Sequence, residues 1–222
     1  MKYTKYILTI AILLAGYMMN GQTFNWRILK EQKHIINLNV SSEYAVNYGF
    51  SYNYNLRSKL PVILNAEYSF PSGENITDDF KTKIGGQIDW VQLGNFHFIS
   101  KIHGVFRRYQ NDNARLVNFG SDLSGTVGYY RSKWFVAGEV GFDKAIVTHF
   151  KHSDISKSNY PDIKDGWYEP ATGGNFYYGI QGGISGKKID VYLKAGRLIE
   201  QDFKTSPMLP IYGQLGANFK LR

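Results

Sequence analysis

From residue 43 onward the chain alternates apolar and polar side chains at every second position. In 43–54, Tyr44, Val46, Tyr48, Phe50, Tyr52 and Tyr54 alternate with Ala45, Asn47, Gly49, Ser51 and Asn53. The same period recurs in 62–70, 83–90, 96–107, 117–129, 134–143, 176–184, 189–195 and 211–221. A period of two marks a strand whose two faces meet different surroundings. With their flanks these nine segments run to about 10–15 residues, against an average of about 5–6 in soluble sheets. That length suits a tilted membrane strand of about 9–11 residues with extensions beyond the bilayer.

The connections alternate too. Short turns are expected at Arg57–Lys59, Gly94–Asn95, Arg131–Lys133 and Gly186–Lys188, and longer loops at Pro71–Asp79, Gln110–Arg115, Lys151–Gly174 and Gln201–Pro210. Short turns on one side and long loops on the other predict an up-and-down barrel with the short turns in the periplasm. Nine strands would leave the two termini on opposite sides, whereas single-chain barrels of this kind have an even number. Thr23–Val40 is therefore expected to supply a tenth strand, with Ile36, Leu38 and Val40 alternating with Asn37 and Asn39 and a turn at Ser41–Ser42. The predicted fold class is all-β: a transmembrane antiparallel up-and-down β-barrel of about ten strands, one domain over residues 22–222.

Residues 1–21 read differently. Lys2 and Lys5 precede an apolar run, Ile7–Tyr17, that is 11 residues long. A helix needs about 20 apolar residues to cross a bilayer. A basic start, a short apolar middle and small or polar residues at Asn20–Gly21–Gln22 predict a secretory signal peptide cleaved before Gln22.

The apolar face carries large aromatics beside the short turns, namely Trp90, Phe96, Tyr129 and Trp134. An interfacial aromatic girdle belongs there. Taken together, the mature chain resembles the small outer-membrane β-barrel proteins of Gram-negative bacteria, in architecture rather than through a motif. The resemblance implies location in the outer membrane, contact with its lipids and a monomeric state. In one respect the chain departs from that pattern. Such barrels usually end in an aromatic residue, while this one ends Phe219–Lys220–Leu221–Arg222.

Composition narrows the chemistry. Aromatics make up 16% of the chain and glycine contributes 23 of 222 residues, a mixture that favours strands and tight turns. Cysteine is absent. That removes disulfides, Cys-ligated metal or iron–sulfur sites and a Cys nucleophile. No phosphate-binding or dinucleotide-binding glycine pattern occurs, and no cofactor or metal is expected. Without Lys2 and Lys5 the mature chain has 24 basic and 18 acidic residues. The excess lies in the turns, at Arg57, Lys59, Arg131, Lys133, Lys187 and Lys188, which suits anionic headgroups. The aromatics are not interleaved with the bases, so nucleic acid is not an expected partner.

The polar face assigns Glu67, Asp89, Asp122, Glu139, Asp143 and Asp190 to the lumen. Lys83, Lys101, Arg107, Lys194, Lys220, His97 and His103 face them. Ten strands enclose little more than the eight whose side chains just fill a barrel. Opposite charges in that space are expected to pair across it. A charge-filled lumen predicts a non-enzymatic structural or interaction protein of the envelope, and a narrow porin for small solutes is the alternative.

The longest loop carries two further candidates. His149, His152, Ser153 and Asp154 are the cast of a hydrolytic site, and their H-x-x-H-S-D spacing is similar to the His/Ser/acid site of barrel-type lipid A deacylases. Against this, no G-x-S-x-G elbow is present, and two histidines alone fall short of a metal site. Tyr160, Trp167 and Tyr168 are aromatics that lipid does not explain. They are expected to fold over the barrel mouth as a lid, where an unknown protein or small molecule would bind.

Overall fold

A computed structural model describes residues 22–42, 45–56, 58–73, 76–169, 174–203, 207 and 210–221. The expected signal peptide, 1–21, lies outside the described residues.

Eleven strands form one antiparallel sheet. They are β1 (His34–Ser42), β2 (Val46–Asn55), β3 (Val62–Pro71), β4 (Asp79–Leu93), β5 (Phe96–Gln110), β6 (Ala114–Tyr130), β7 (Trp134–His152), β8 (Gly166–Tyr168), β9 (Gly174–Ser185), β10 (Ile189–Glu200) and β11 (Ile211–Leu221). Ten of them close a ring. Each pairs with its neighbour in sequence, β7 pairs with β9, and β11 returns to β1 in the register His34↔Leu221 to Ser42↔Gly213. Closure leaves no strand edge along the wall, as a bilayer without water requires.

The two faces partition as the alternation predicts. Leu38, Phe50, Leu64, Ile84, Ile102, Val127, Val140, Ile180 and Leu193 are exposed on the outer face, while Asn37, Ser51, Asn53, Lys83, Asp122, Glu139 and Gln214 are buried inside. Among the described residues more polar and charged side chains are buried than apolar ones, the reverse of a soluble protein.

Ring contacts run unbroken round much of the outer face. Tyr48, Phe70, Tyr68, Phe80, Phe106, Phe119 and Trp167 follow one another with centroids 5.2–6.2 Å apart. A second set, Phe96, Tyr129 and Trp134, stands at the opposite end beside the short turns. Two such belts mark the two interfaces of a membrane. At the β4–β5 turn Gly94 takes the left-handed conformation that a two-residue hairpin needs, with φ +65°.

Three expectations are corrected. Residues 22–33 add nothing to the first strand, which begins at His34. Upstream, Gln22, Thr23, Phe24, Asn25 and Trp26 are all buried inside the ring, so polar and apolar residues do not part to two faces there. Ser41 and Ser42 belong to β1 rather than to a turn. The loop expected over Gln110–Arg115 shrinks to the tip 111–113 of a tight hairpin, where Asn111 Oδ1 accepts from the backbone N–H groups of Asn113 and Ala114.

β7 outruns its neighbour. Its last β9 partner is Lys144, opposite Gly174, yet it continues to His152. The free edge this leaves is covered by β8 in the register Thr148↔Tyr168, His149↔Trp167 and Phe150↔Gly166. A covered edge does not recruit stray strands. Between β7 and β8 a short helix, α1 (Asp154–Asn159), starts on Ser153, whose Oγ accepts from Ser156 N–H.

Candidate functional site in the lumen

Three layers of polar contacts cross the barrel interior. The central layer is ionic. Glu139 on β7 takes Lys101 from β5 on one oxygen and Lys194 from β10 on the other, and Ser124 Oγ donates to it at 3.2 Å. Beside it Lys83 Nζ lies 2.5 Å from Asp122 Oδ2, and Tyr177 donates to Asp122 Oδ1 at 2.7 Å. The Lys194 ammonium also sits 5.6 Å over the Tyr177 ring and 5.7 Å over that of Tyr212. All of these side chains are buried. Strands β4, β5, β6, β7, β9, β10 and β11 thus meet through one connected network. A buried charge persists only when paired and hydrogen-bonded.

The extracellular layer contains Arg107 on Asp143, and His103 within 2.8 Å of Asn65 Oδ1. The periplasmic layer contains the His97 ring 2.6 Å from Asp89 Oδ2, and Lys220 2.6 Å from Asp190. The acids and bases assigned to the lumen from their parity are buried inside the wall, except Arg107, whose side chain is 37% exposed, and Glu67 accepts from Gln22 Nε2 at 3.3 Å.

That last bond belongs to a structure the alternation did not announce. Residues Gln22–Trp26 run inside the ring at its periplasmic end as a stopper. Asn25 Nδ2 donates to Arg131 O at 2.7 Å and to Ser185 Oγ at 2.8 Å, and Thr23 Oγ1 bonds Gln181. From the last strand, Asn218 Nδ2 donates to Thr23 O at 2.7 Å. Phe24, Trp26 and Leu29 join Ile35, Ile63, Ile99, Tyr130, Phe135, Ala137 and Tyr192 in a small apolar core. Trp26, Arg27, Gln92 and His97 line a cavity of about 350 Å³ there.

The loop candidates separate. His152 Nδ1 lies 3.1 Å from Asp165 Oδ1, which gives a histidine–acid pair. The hydroxyl that would complete a hydrolytic site is turned away, because Ser153 Oγ caps α1 and contacts Ser156 Oγ at 3.4 Å. Asp154 sits in the first turn of that helix. His149 packs its ring 4.9 Å from Trp167. Asp165, outside the membrane, is held well below the usual carboxylate range, first by the His152 backbone N–H and then by Lys157. Among the described residues no three His, Asp or Glu side chains gather as a metal would require.

The aromatic lid is corrected as well. Trp167 lies against Phe119 and His149 on the outer side of the wall and is 58% exposed. Tyr168 contacts Phe150 and is 46% exposed, and Tyr160 is 68% exposed. The cause is strand pairing. The register with β7 sends alternate residues of β8 to opposite faces, so adjacent Trp167 and Tyr168 cannot both cover the mouth.

A closed antiparallel wall, apolar and aromatic outside and ionic inside, defines a transmembrane β-barrel of the outer-membrane type. No protein-family model matches the chain, and no curated protein does. Among solved structures it is similar to a KdgM porin in complex with disordered oligogalacturonate, with TM-score 0.44 and 8% identity over 85% of this chain and 99% of that one. The KdgM porin alone gives TM-score 0.43 at 8% identity over the same shares, and a bacterial polysaccharide outer membrane secretin gives 0.28 at 9%, over 86% and 99%. Overlap this loose transfers no function.

Parity did not single out the inward tyrosines. Tyr130, Tyr192 and Tyr212 are as deeply buried as the charges. For Tyr192 and Tyr212 a signal was present in the inward glycines opposite them. Gly216 pairs with Tyr192 and Gly196 with Tyr212, each glycine leaving the space that a ring fills.

Proposed function

We propose that this chain is a non-enzymatic outer-membrane barrel, closed at rest, that acts as a structural or interaction protein of the envelope. It stands as a monomer among outer-membrane lipids, and any protein or small-molecule partner engages the extracellular loops. The observation that carries this reading is double closure. The Lys101–Glu139–Lys194 bridge spans the middle of the lumen, and the Gln22–Trp26 stopper fills its periplasmic end. Ions crossing would have to break buried ion pairs and then displace a hydrogen-bonded segment. Planar-bilayer recordings of the purified protein test it. Little or no steady conductance is expected, and stable openings of nanosiemens order would overturn the reading.

A narrow solute channel is the second reading, and one feature favours it. The stopper is held by side-chain hydrogen bonds and apolar contact, with no covalent link. A periplasmic pull on it would leave the central ionic bridge as the remaining barrier. Hydrolysis is the weakest reading, since Ser153 Oγ is engaged at α1 and not at His152.

A further inference from the structure

Three bases stand together on the outer side of the wall, where nothing in the lumen uses them. After the bulge opposite Phe119 and Gly120, β7 changes face. Thr148 turns inward to Asn118, so His149 and Lys151 turn outward. Lys151 is directly opposite Arg115 on β6, and Arg115 is opposite Gln110 on β5, two residues from Arg108. Like charges directly opposite each other destabilise a sheet. The nearby acids give no relief among the described residues. Asp165 is taken by His152 and Lys157, while Asp112 and Asp154 form no ion pair with these bases. Arg108 donates one Nη2 bond to Gln110, and its Nε is buried without a partner. A small cavity of about 190 Å³ adjoins, lined in part by Arg115, Lys151 and Ser153.

Height decides what meets these bases. Arg108 follows Phe106 by two residues and Arg115 precedes Phe119 by four, and both rings belong to the extracellular belt. At about 3.3 Å per residue and a tilt of roughly 40°, the two bases stand about 5 and 10 Å above the rings. That is the headgroup zone of the outer leaflet, and the side chains point into it rather than into the lumen.

We infer that Arg108, Arg115 and Lys151 form a docking site for the phosphorylated headgroup of an outer-leaflet glycolipid, its acyl chains lying against the aromatic belt below. The anion offsets the Arg115–Lys151 repulsion and balances the charge of Arg108, which no acid pairs among the described residues. A bulky phosphorylated sugar headgroup reaches both heights at once.

The test uses the full mature barrel, folded into phosphatidylcholine vesicles doped with bisphosphorylated lipid A or with its dephosphorylated form. Lipid retained after detergent extraction is counted by mass spectrometry. The wild type should enrich the bisphosphorylated form more than tenfold, as three cations near an anionic surface allow. K151Q should lower that enrichment about fivefold, and R108Q/R115Q/K151Q should abolish it while keeping heat-modifiable migration. Should the triple variant not fold, the wild-type comparison and K151Q still decide. Equal retention of the two lipids would overturn the proposal, as would enrichment untouched by K151Q. Displacement of the lipid by inorganic phosphate or heparin at matched phosphate or sulfate concentration would also overturn it, pointing instead to a soluble anion.

Discussion

The ring of Tyr177 lies over Gly141, its direct partner across the β7–β9 ladder. A Cβ at residue 141 would stand 2.3 Å from Tyr177 Cζ. Without that glycine the phenol could not lie flat and reach Asp122. Gly216 serves Tyr192 in the same way, with a Cβ placed 2.3 Å from the ring. Gly141 and Gly216 are thus sockets for aromatic rings.

Gly141→Ala should therefore push the Tyr177 ring aside and break its bond to Asp122. Overpacking of this kind costs about 1–3 kcal/mol. Urea unfolding in vesicles should show the loss with the barrel still formed. Y177F keeps the socket but removes one donor from a buried carboxylate, which costs about 1–3 kcal/mol. If both variants unfold with the wild type, the ring contributes nothing to the network.

Glu139→Gln removes the charge shared by Lys101 and Lys194. Leaving buried ions without their partner costs about 3–5 kcal/mol, so the temperature of the heat-modifiable shift should fall more than for any single change on the outer face. E139D, which keeps the charge, should recover part of the loss.

The two closures act in series, so neither alone decides conductance. Deleting Gln22–Trp26 should leave planar bilayers silent, and so should replacing Lys101, Glu139 and Lys194 together by alanine. Combining the changes should give steady openings. Conductance from the deletion alone would mean that the central bridge does not seal.

Deletion of Ser153–Glu169 should spare the ten-stranded ring, because α1 and β8 lie outside its closure. Folding should be intact by heat-modifiable migration and conductance unchanged, since both barriers lie below the loop.

Asp165 carries a pH signature. Its depressed pKa means that its contribution is complete above the ordinary Asp value of about 3.9 and is lost as pH falls through the lower folded value. Amide exchange in β8, corrected for intrinsic rates, should be level from pH 8 to 5 and rise only in stronger acid. D165N should raise it already at pH 7.

Most of the wall was legible because a closed barrel imposes one simple rule, apolar out and polar in, along every strand. Parity alone carried Glu139, Asp122 and Lys194 to the lumen. It failed where the rule is interrupted. The β7 bulge skips Ile146, between Ala145 and Val147 in the ladder, and so reverses the faces of His149 and Lys151. Trp167 is governed by a three-residue strand too short to show a period. The stopper could not be read from alternation, because Phe24, Asn25 and Trp26 are all buried and the apolar cluster they join is assembled from residues as distant in sequence as Tyr192.

The bond from Asn218 to Thr23 joins the inner segment to the last strand. That strand also seals the ring against β1. The segment itself takes no part in the β1–β11 ladder, and the periplasmic mouth lets it enter or leave with the seam already shut. A barrel that closed empty would leave the Asn218 amide without the Thr23 carbonyl as its acceptor. Occupancy of the interior thus completes the polar contacts of the last strand, while closure of the wall does not depend on it.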